Sequence, residues 1–399
     1  MNNSLFRLTI LSGSIGLILT ACNSGSSSTT TTGPVAQALP ASYQCLPSNL
    51  PTGTNSSKIA YAGNCSVESA TETNNLQKMA VALEKYNPQN NQFPESGFYN
   101  NCSGTPIQYN SNTGVTFVLT AAHCVIGTTT PKPAGAPTTA ANINTYVESL
   151  GHNQAWIYQG TNAAPLSLDQ LNAQILAVYV PSQYCQGAAY NYLDDEGIYL
   201  CGDDSNISYM NGDFAVLKVQ TQLGKSVTVA SNIKLAPSNL NLISTKTNLL
   251  VLGYGTTNPN GTIDSENSLN SKLNYINTQY FGTNSYGTWS GSMTIMNGYL
   301  FNNIYYGLIC NGDSGGGDFA WDGSNWNLVG VHSWGQIANS SISPVGMNCG
   351  VYSQTYVANA SADVRQFNSW ISNVLNNDNQ TTGCADLGSA YACAAGTGK

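Results

Sequence analysis

The feature of this 399-residue chain that most constrains its fold is a series of short apolar runs separated by turn-forming residues. Four of these runs have the length of a strand: VTFVLTAAHC (115–124), DFAVLKV (213–219), NLLVLGYGT (248–256) and WNLVGVHSW (326–334). Apolar runs of this length, bounded by Gly, Asn, Ser and Pro, are typical of β-strands. From about Phe93 onward the sequence therefore predicts a mostly-β domain.

Two segments carry helical periodicity instead. TETNNLQKMAVALEKYN (71–87) spaces its apolar residues as one face of a helix would, at Leu76, Met79, Ala80, Leu83 and Tyr86. SADVRQFNSWISNVLNN (361–377) has the same periodicity near the end of the chain. We expect one amphipathic helix in each segment.

The N-terminus has the features of an export signal. Arg7 precedes an apolar run, Leu8–Leu19, that is too short for a comfortable membrane span. The run ends in Leu-Thr-Ala-Cys22 and resembles the signal of bacterial lipoproteins, in which the cysteine is lipidated; Asn23 would then favour the outer membrane. The alternative is an ordinary secretion signal with an incidental cysteine, which leads to the periplasm or the extracellular space.

Composition agrees with export and excludes one class of partner. Ten of the eleven cysteines remain if Cys22 is lipidated, and an even number suits five disulfides in an oxidising compartment. Only 8% of the residues are charged, the net charge is −8, and no basic patch is visible. Nucleic-acid binding is therefore not expected.

Three residues can form a nucleophile with its base and acid. Ser314 lies in CNGDSGGGDFAW (310–321), where glycines allow backbone N–H groups to point at one spot beside the hydroxyl. His123 ends an apolar strand and is one of only three histidines. Asp213 opens the core-like run DFAVLKV. The alternatives without a catalytic role are that His123 is a packing residue and that Asp213 is a turn residue.

The segments TAAHC (120–124), GDFAVLKV (212–219), GDSGG (312–316) and SWG (333–335) together resemble the chymotrypsin/trypsin-like serine protease family, in that family's order. The resemblance implies two six-stranded antiparallel β-barrels, a C-terminal helix and serine endopeptidase activity. It assigns Ser314 as nucleophile, His123 as base, Asp213 as the acid that orients the base, and the Gly312 and Ser314 N–H groups as the oxyanion hole. It implies protein or peptide substrates, a monomer, no cofactor and no metal.

The domain boundaries follow from these features. We expect a lipoprotein-type signal over 1–22, a flexible linker over 23–40, an N-terminal extension or pro-region with one helix over 41–92, and the protease domain over 93–376. A large insertion (about 126–208) and a tail (377–399) complete the chain. Activation by cleavage stays open, because Lys58–Gly63 only imitates the family's activation sequence; Asp313 would then bind the new amino terminus, or it pairs internally.

The resemblance also implies which residues choose the side chain before the scissile bond. Leu308 would form the pocket floor, which excludes Lys and Arg and favours an apolar or aromatic side chain. His332 instead corresponds to a histidine that contacts the substrate carboxylate in glutamyl-specific members, since an imidazole can donate to a carboxylate. Both preferences stay open. The remaining predicted contacts are Asn311 and, through the backbone, Ser333, Trp334 and Gly335.

Five disulfides are predicted. The family match implies Cys102–Cys124 and Cys310–Cys349, whereas Cys185–Cys201, Cys45–Cys65 and Cys384–Cys393 rest on proximity in the sequence. Five acidic residues between 194 and 204 lack a ligand spacing for Ca²⁺ and are interpreted as a solvated loop. His152 is interpreted as a surface residue. Two further functional hypotheses remain: a catalytically silent binding or adhesion protein, and a latent enzyme whose N-terminal region blocks the cleft.

Overall fold

The computed structural model describes residues 33–45, 65–67, 72–86, 98–124, 154–160, 173–181, 190–193, 199–202, 213–221, 228–243, 247–255, 272–283, 294–301, 304–306, 309, 312–335, 352–353, 359–376, 383–386 and 390–394. All of them lie within one unit, Gly33–Lys399. The described residues are mostly β-structure. The strands are β1 Cys65–Ser66, β2 Val81–Tyr86, β3 Phe98–Asn110, β4 Val115–Thr120, β5 Gln154–Tyr158, β6 Ala173–Pro181, β7 Tyr190–Leu193, β8 Tyr199–Gly202, β9 Ala215–Thr221, β10 Ile233–Leu235, β11 Asn248–Gly253, β12 Asn274–Thr283, β13 Thr294–Phe301, β14 Ile304–Tyr306, β15 Gly317–Trp321, β16 Trp326–Gly335, β17 Tyr352–Ser353, β18 Asn359–Asp363, β19 Gly383–Asp386 and β20 Ala390–Ala394.

These strands form three sheets. An eight-stranded sheet has the order β19-β20-β6-β5-β2-β3-β4-β9, and β6 also pairs with β9. A ten-stranded sheet has the order β1-β12-β11-β15-β16-β18-β13-β14-β17, with β10 added beside β16 and an additional pairing of β12 with β13. β7 and β8 pair only with each other among the described strands. The pairings are antiparallel apart from β10 with β16.

The four apolar runs are strands, as the sequence predicts: they form β4, β9, β11 and β16. All six residues of β4 are buried, and β4 lies between β3 and β9. A strand that is buried on both faces reads as a continuous apolar run rather than as an alternation. The four strands can therefore be predicted from the local sequence, without knowledge of the strands with which they pair.

The helix predicted near the end of the chain is α2, Val364–Asn376. Its buried face contains Phe367 and Trp370, whose rings contact Phe214 edge-on at centroid distances of 4.6 and 5.3 Å. Asp363 precedes the helix and accepts a hydrogen bond from Arg365 N (3.0 Å), as a helix-capping carboxylate does. The helix therefore begins at a cap and packs beside the residue that follows Asp213.

The first helical prediction is wrong beyond its opening turn. α1 covers only Thr73–Gln77, and the chain then enters β2. Val81, Ala82 and Leu83 are buried because β2 pairs with β3 on one side and β5 on the other. A central strand that is buried on both faces contains consecutive apolar residues, and here some of these residues also have the spacing of one helical face. The 41–92 segment is consequently not a separate extension, since β2 lies inside the eight-stranded sheet.

The prediction of a flexible linker is also wrong for residues 33–40. Ala36 N donates to Asn241 O (3.1 Å), and Gln37 N donates to Trp321 O (2.7 Å). Leu39 is buried, and the chain continues into a 3₁₀ helix, Ala41–Tyr43. Backbone hydrogen bonds to distant segments fix this stretch despite its small polar residues. Residues 23–32 of the linker, and the whole 1–22 signal, lie outside the described residues.

The predicted insertion and tail are partly sheet. β5 and β6 fall within 126–208 and belong to the eight-stranded sheet, which leaves the β7–β8 hairpin outside it. The tail contains β19 and β20, and β20 extends the sheet by pairing with β6. The backbone register of β19 and β20 pairs Cys384 with Cys393.

Two predicted disulfides are present, Cys45–Cys65 and Cys102–Cys124, with Cα–Cα distances of 6.0 and 6.1 Å. The Cys310–Cys349 pair and Cys185 lie outside the described residues. Among the described helices, none is long and apolar enough to cross a membrane.

Candidate functional site

The turn that contains Ser314 is built on two glycines in the left-handed region. Gly312 has φ +93° and Gly315 has φ +83°, conformations that disfavour every residue with a Cβ. Gly316 N donates to Asp313 O (2.9 Å), which closes the turn. Gly315 N donates to His332 O (2.8 Å), and His332 N donates to Gly316 O (2.9 Å), so that the turn is fixed to β16.

The backbone of the turn presents two amide groups in addition to the Ser314 hydroxyl. Within the described residues, neither Gly312 N–H nor Ser314 N–H donates a hydrogen bond to another group. Asp313 Oδ1 accepts a hydrogen bond from Gly255 N (2.8 Å), which agrees with the interpretation that Asp313 pairs internally. Ser314 is half-buried, whereas Gly312 and Gly315 on either side of it are buried.

His123 lies in a second turn that contacts the first. It is the middle residue of the 3₁₀ helix Ala122–Cys124, which begins two residues after the end of β4; the structure describes its backbone but not its side chain. The Cys102–Cys124 disulfide ties this turn to β3. Cys124 Sγ lies 3.7 Å from Ser314 O. The histidine turn and the serine turn are therefore in direct contact.

Asp213 lies at the same end of the eight-stranded sheet as His123. The antiparallel register pairs Thr120 of β4 with Ala215 of β9, so that the residues after β4 and those before β9 are neighbours. Asp213 is 3% exposed, and its Oδ2 accepts a 2.5 Å hydrogen bond from Ser333 Oγ. The Ser333 hydroxyl thus bonds to Asp213, whereas the predicted contact of Ser333 with substrate is through its backbone.

His332 forms a buried polar cluster beneath the serine turn. It is 1% exposed, and its Nδ1 lies 3.2 Å from Ser361 Oγ and 3.3 Å from Asp318 Oδ1. Nε2 is buried and has no hydrogen-bond partner among the described residues. A Cβ atom on Gly316 would lie 3.2 Å from Cδ2 of the ring, so that the imidazole lies directly against the turn.

The other predicted site residues are less completely described. Trp334 and Gly335 belong to β16 and pair with Ala360 and Asn359 of β18, while β15 pairs with β16 only as far as Val331. Leu308, Asn311, His152, the acidic residues of 194–204 and the Lys58–Gly63 segment lie outside the described residues. No group of three or more potential metal ligands occurs among the residues that are described.

Sequence reasoning missed three polar residues of the site. Ser103 hydrogen-bonds to the serine turn, and Asp318 and Ser361 contact His332. Ser103 and Ser361 belong to no motif, and Asp318 follows GDSGGG without a signal of its own. Their contacts join segments that are far apart in the sequence.

Comparison with known proteins covers part of this site. Residues 198–371 match the family model described as Trypsin. That stretch is similar to the trypsin family. It includes Asp213 and Ser314 and begins after His123. The human protein transmembrane protease serine 5 is 34% identical to this chain over 127 residues, 31% of the chain. The aligned part spans about a quarter (26%) of that relative. Both similarities support the prediction of a serine endopeptidase.

Proposed function

We propose that this chain is a serine endopeptidase in which Ser314 is the nucleophile, His123 the general base and Asp213 the carboxylate that orients the base. The observation that carries the proposal is the contact between the two turns, with Cys124 Sγ 3.7 Å from Ser314 O. Asp213 adds to it, because this buried carboxylate lies at the end of β9 adjacent to the histidine turn.

The reaction follows from these roles. His123 removes the proton from Ser314 Oγ as the oxygen attacks the carbonyl carbon of the substrate, because a neutral hydroxyl is a weak nucleophile. Gly312 N–H and Ser314 N–H stabilise the oxyanion, and Asp213 stabilises the imidazolium. The imidazolium then protonates the leaving amine, and water hydrolyses the acyl-enzyme by the same path.

Among the described residues, no strand pairs with the β15 side of β16 beyond Val331, and this edge suits an extended peptide substrate. β15 leaves β16 after Val331, and the strand continues through Ser333, Trp334 and Gly335 with β18 on its other side. We propose that substrate adds to this edge as a further strand, the mode of recognition called β-augmentation. Since the Ser333 hydroxyl is bonded to Asp213, the backbone of the strand supplies the contacts.

For the side chain before the scissile bond, we propose glutamate. His332 has a buried Nε2 without a described partner, and a buried polar group of this kind is costly unless something binds it. Nδ1 already lies beside Asp318 Oδ1 (3.3 Å) and Ser361 Oγ (3.2 Å), so that Nε2 is the ring nitrogen left for a substrate carboxylate. The apolar alternative rests on Leu308, outside the described residues. Cleavage after Phe, Leu or Tyr that survives in His332→Ala would establish that alternative.

We further propose that the two large sheets are the two six-stranded barrels of the trypsin-like fold. β6, β5, β2, β3, β4 and β9 each pair with the next, and β9 pairs with β6; β12, β11, β15, β16, β18 and β13 form a second cycle in the same way. Slow amide hydrogen exchange along both the β6–β9 and β12–β13 pairings would support closure. Rapid exchange at either seam would contradict it.

Export and processing are proposals with their own tests. We propose that Cys22 is lipidated, which palmitate labelling lost in Cys22→Ala would support and unlabelled wild-type chain would contradict. We also propose that the chain is cleaved within the Lys58–Gly63 segment, which imitates the family's activation sequence. Because the Cys45–Cys65 disulfide spans that position, a cut there leaves two pieces that separate only after reduction. A single band on reducing gels of fully active protein would contradict this processing.

A further inference from the structure

Ser103 of β3 connects the eight-stranded sheet to the serine turn. Its N–H donates to Ser314 O (2.7 Å), and its hydroxyl donates to Gly312 O (2.8 Å). The same hydroxyl accepts a hydrogen bond from Tyr254 N (2.9 Å), at the end of β11 in the ten-stranded sheet. The residue is completely buried.

The position of Ser103 in the chain joins it to the histidine turn as well. Its neighbour Cys102 forms the disulfide with Cys124, one residue after His123. Its carbonyl accepts a hydrogen bond from Thr120 Oγ1 (2.7 Å), at the end of the strand that leads to His123. Cys102 and Ser103 are adjacent on β3, and together they hold both the histidine turn and the serine turn.

A hydroxyl is suited to this place because it donates one hydrogen bond and accepts others. The Ser103 hydroxyl thus binds a carbonyl and an amide at the same time. The carbonyls that Ser103 binds, those of Gly312 and Ser314, flank Asp313. The backbone between the two proposed oxyanion donors is therefore fixed at both ends. These hydrogen bonds restrain Gly312, since a glycine has more backbone freedom than any other residue.

We propose that Ser103 is a positioning residue for the reaction: it fixes the serine turn so that the amides of Gly312 and Ser314 converge on the oxyanion. This inference rests on the proposed function. Its consequence is that the Ser103 hydroxyl matters more in the transition state, where charge develops on the substrate oxygen, than in the ground state.

The test compares kcat and KM of the full chain and its Ser103→Ala variant on a peptide substrate, well below the unfolding temperature. Loss of one oxyanion donor typically costs 10²–10³ in kcat; because Ser103 acts through the donors, we expect kcat to fall about 10- to 100-fold. KM should stay within about threefold, since ground-state binding is unchanged. Thr247→Val is the matched control. It removes a buried hydroxyl bonded to Ile243 N (2.9 Å), at the opposite end of β11 from Tyr254.

The outcomes separate this inference from the proposed function. A loss of kcat in Ser103→Ala, with Thr247→Val lowering Tm but not kcat, supports the inference. Unchanged kcat in a folded Ser103→Ala variant overturns it while leaving the protease intact, and so does a loss confined to KM. Absence of Ser314-dependent cleavage by the wild type overturns the proposed function instead. If Ser103→Ala does not fold, Ser103→Gly removes the same hydroxyl with a smaller residue and is judged by the same criterion.

Discussion

The two described disulfides make a matched pair for separating stability from catalysis. Cys102–Cys124 and Cys45–Cys65 close loops of nearly equal length, with sequence separations of 22 and 20. From the chain-entropy relation, removal of the first should cost about 3.4 kcal/mol of unfolding free energy at 25 °C and removal of the second about 3.3 kcal/mol. Only the first disulfide ties down the turn that contains His123.

We therefore expect the double variants Cys102→Ala/Cys124→Ala and Cys45→Ala/Cys65→Ala to lose similar stability and to differ in activity. Urea unfolding followed by tryptophan fluorescence measures the first quantity, and kcat on a peptide substrate measures the second. The first variant should lose kcat because the base is less well held, whereas the second should retain it.

Two results would contradict these roles of the disulfides. Equal kcat in the two folded double variants would mean that the Cys102–Cys124 bond does not position the histidine turn. A difference in unfolding free energy of more than about 2 kcal/mol between the variants would mean that loop length does not set the stabilisation.

Three further predictions concern single carboxylates. Asp213→Asn should lower kcat by about 10⁴-fold by favouring the wrong imidazole tautomer, and a loss below about tenfold would contradict its role. Asp318→Asn should lower kcat/KM for a Glu substrate by about tenfold or more, with little change for a Leu substrate, because His332 loses its charged partner; equal losses on both would contradict glutamate recognition. Burial alone would raise the pKa of Asp322, but hydrogen bonds from Asn327 and from the backbone of the following turn lower it below its usual value. Its stabilisation is therefore present above about pH 4 and is lost as pH falls through the folded pKa, so the Tm difference between wild type and Asp322→Asn should shrink on acidification; a difference independent of pH would contradict this.

The predictable parts of the fold are those in which the pattern of apolar residues in the sequence matches the pattern of burial in the structure. The apolar runs of β4, β9, β11 and β16 form strands in which most of the described side chains are buried. Their burial is visible in the sequence as consecutive apolar residues. The α2 periodicity also holds, since that helix has one buried and one exposed face. In β2, by contrast, consecutive Val81, Ala82 and Leu83 are all buried, and short apolar runs of this kind do not distinguish a central strand from a helix.

The features that escaped prediction depend on partners far away in the sequence. Gln37 bonds to Trp321, and this contact orders a segment whose composition indicated a tether. Ser103 bonds to Gly312 and Ser314, a relationship across more than two hundred positions. The motif GDSGG predicts Ser314 as the nucleophile because that signal is local in the sequence. The groups that hold the serine turn in place are recognisable only once the sheets are assembled.

Cleavage of peptides by Ser314 can be measured directly. Purified wild-type chain and Ser314→Ala are incubated with a peptide library, and the products are identified by mass spectrometry. We expect cleavage after Glu by the wild type and none by Ser314→Ala. Equal product patterns from both proteins, or no cleavage by either even after the N-terminal region has been trimmed, would contradict the protease and favour a protease-like binding protein.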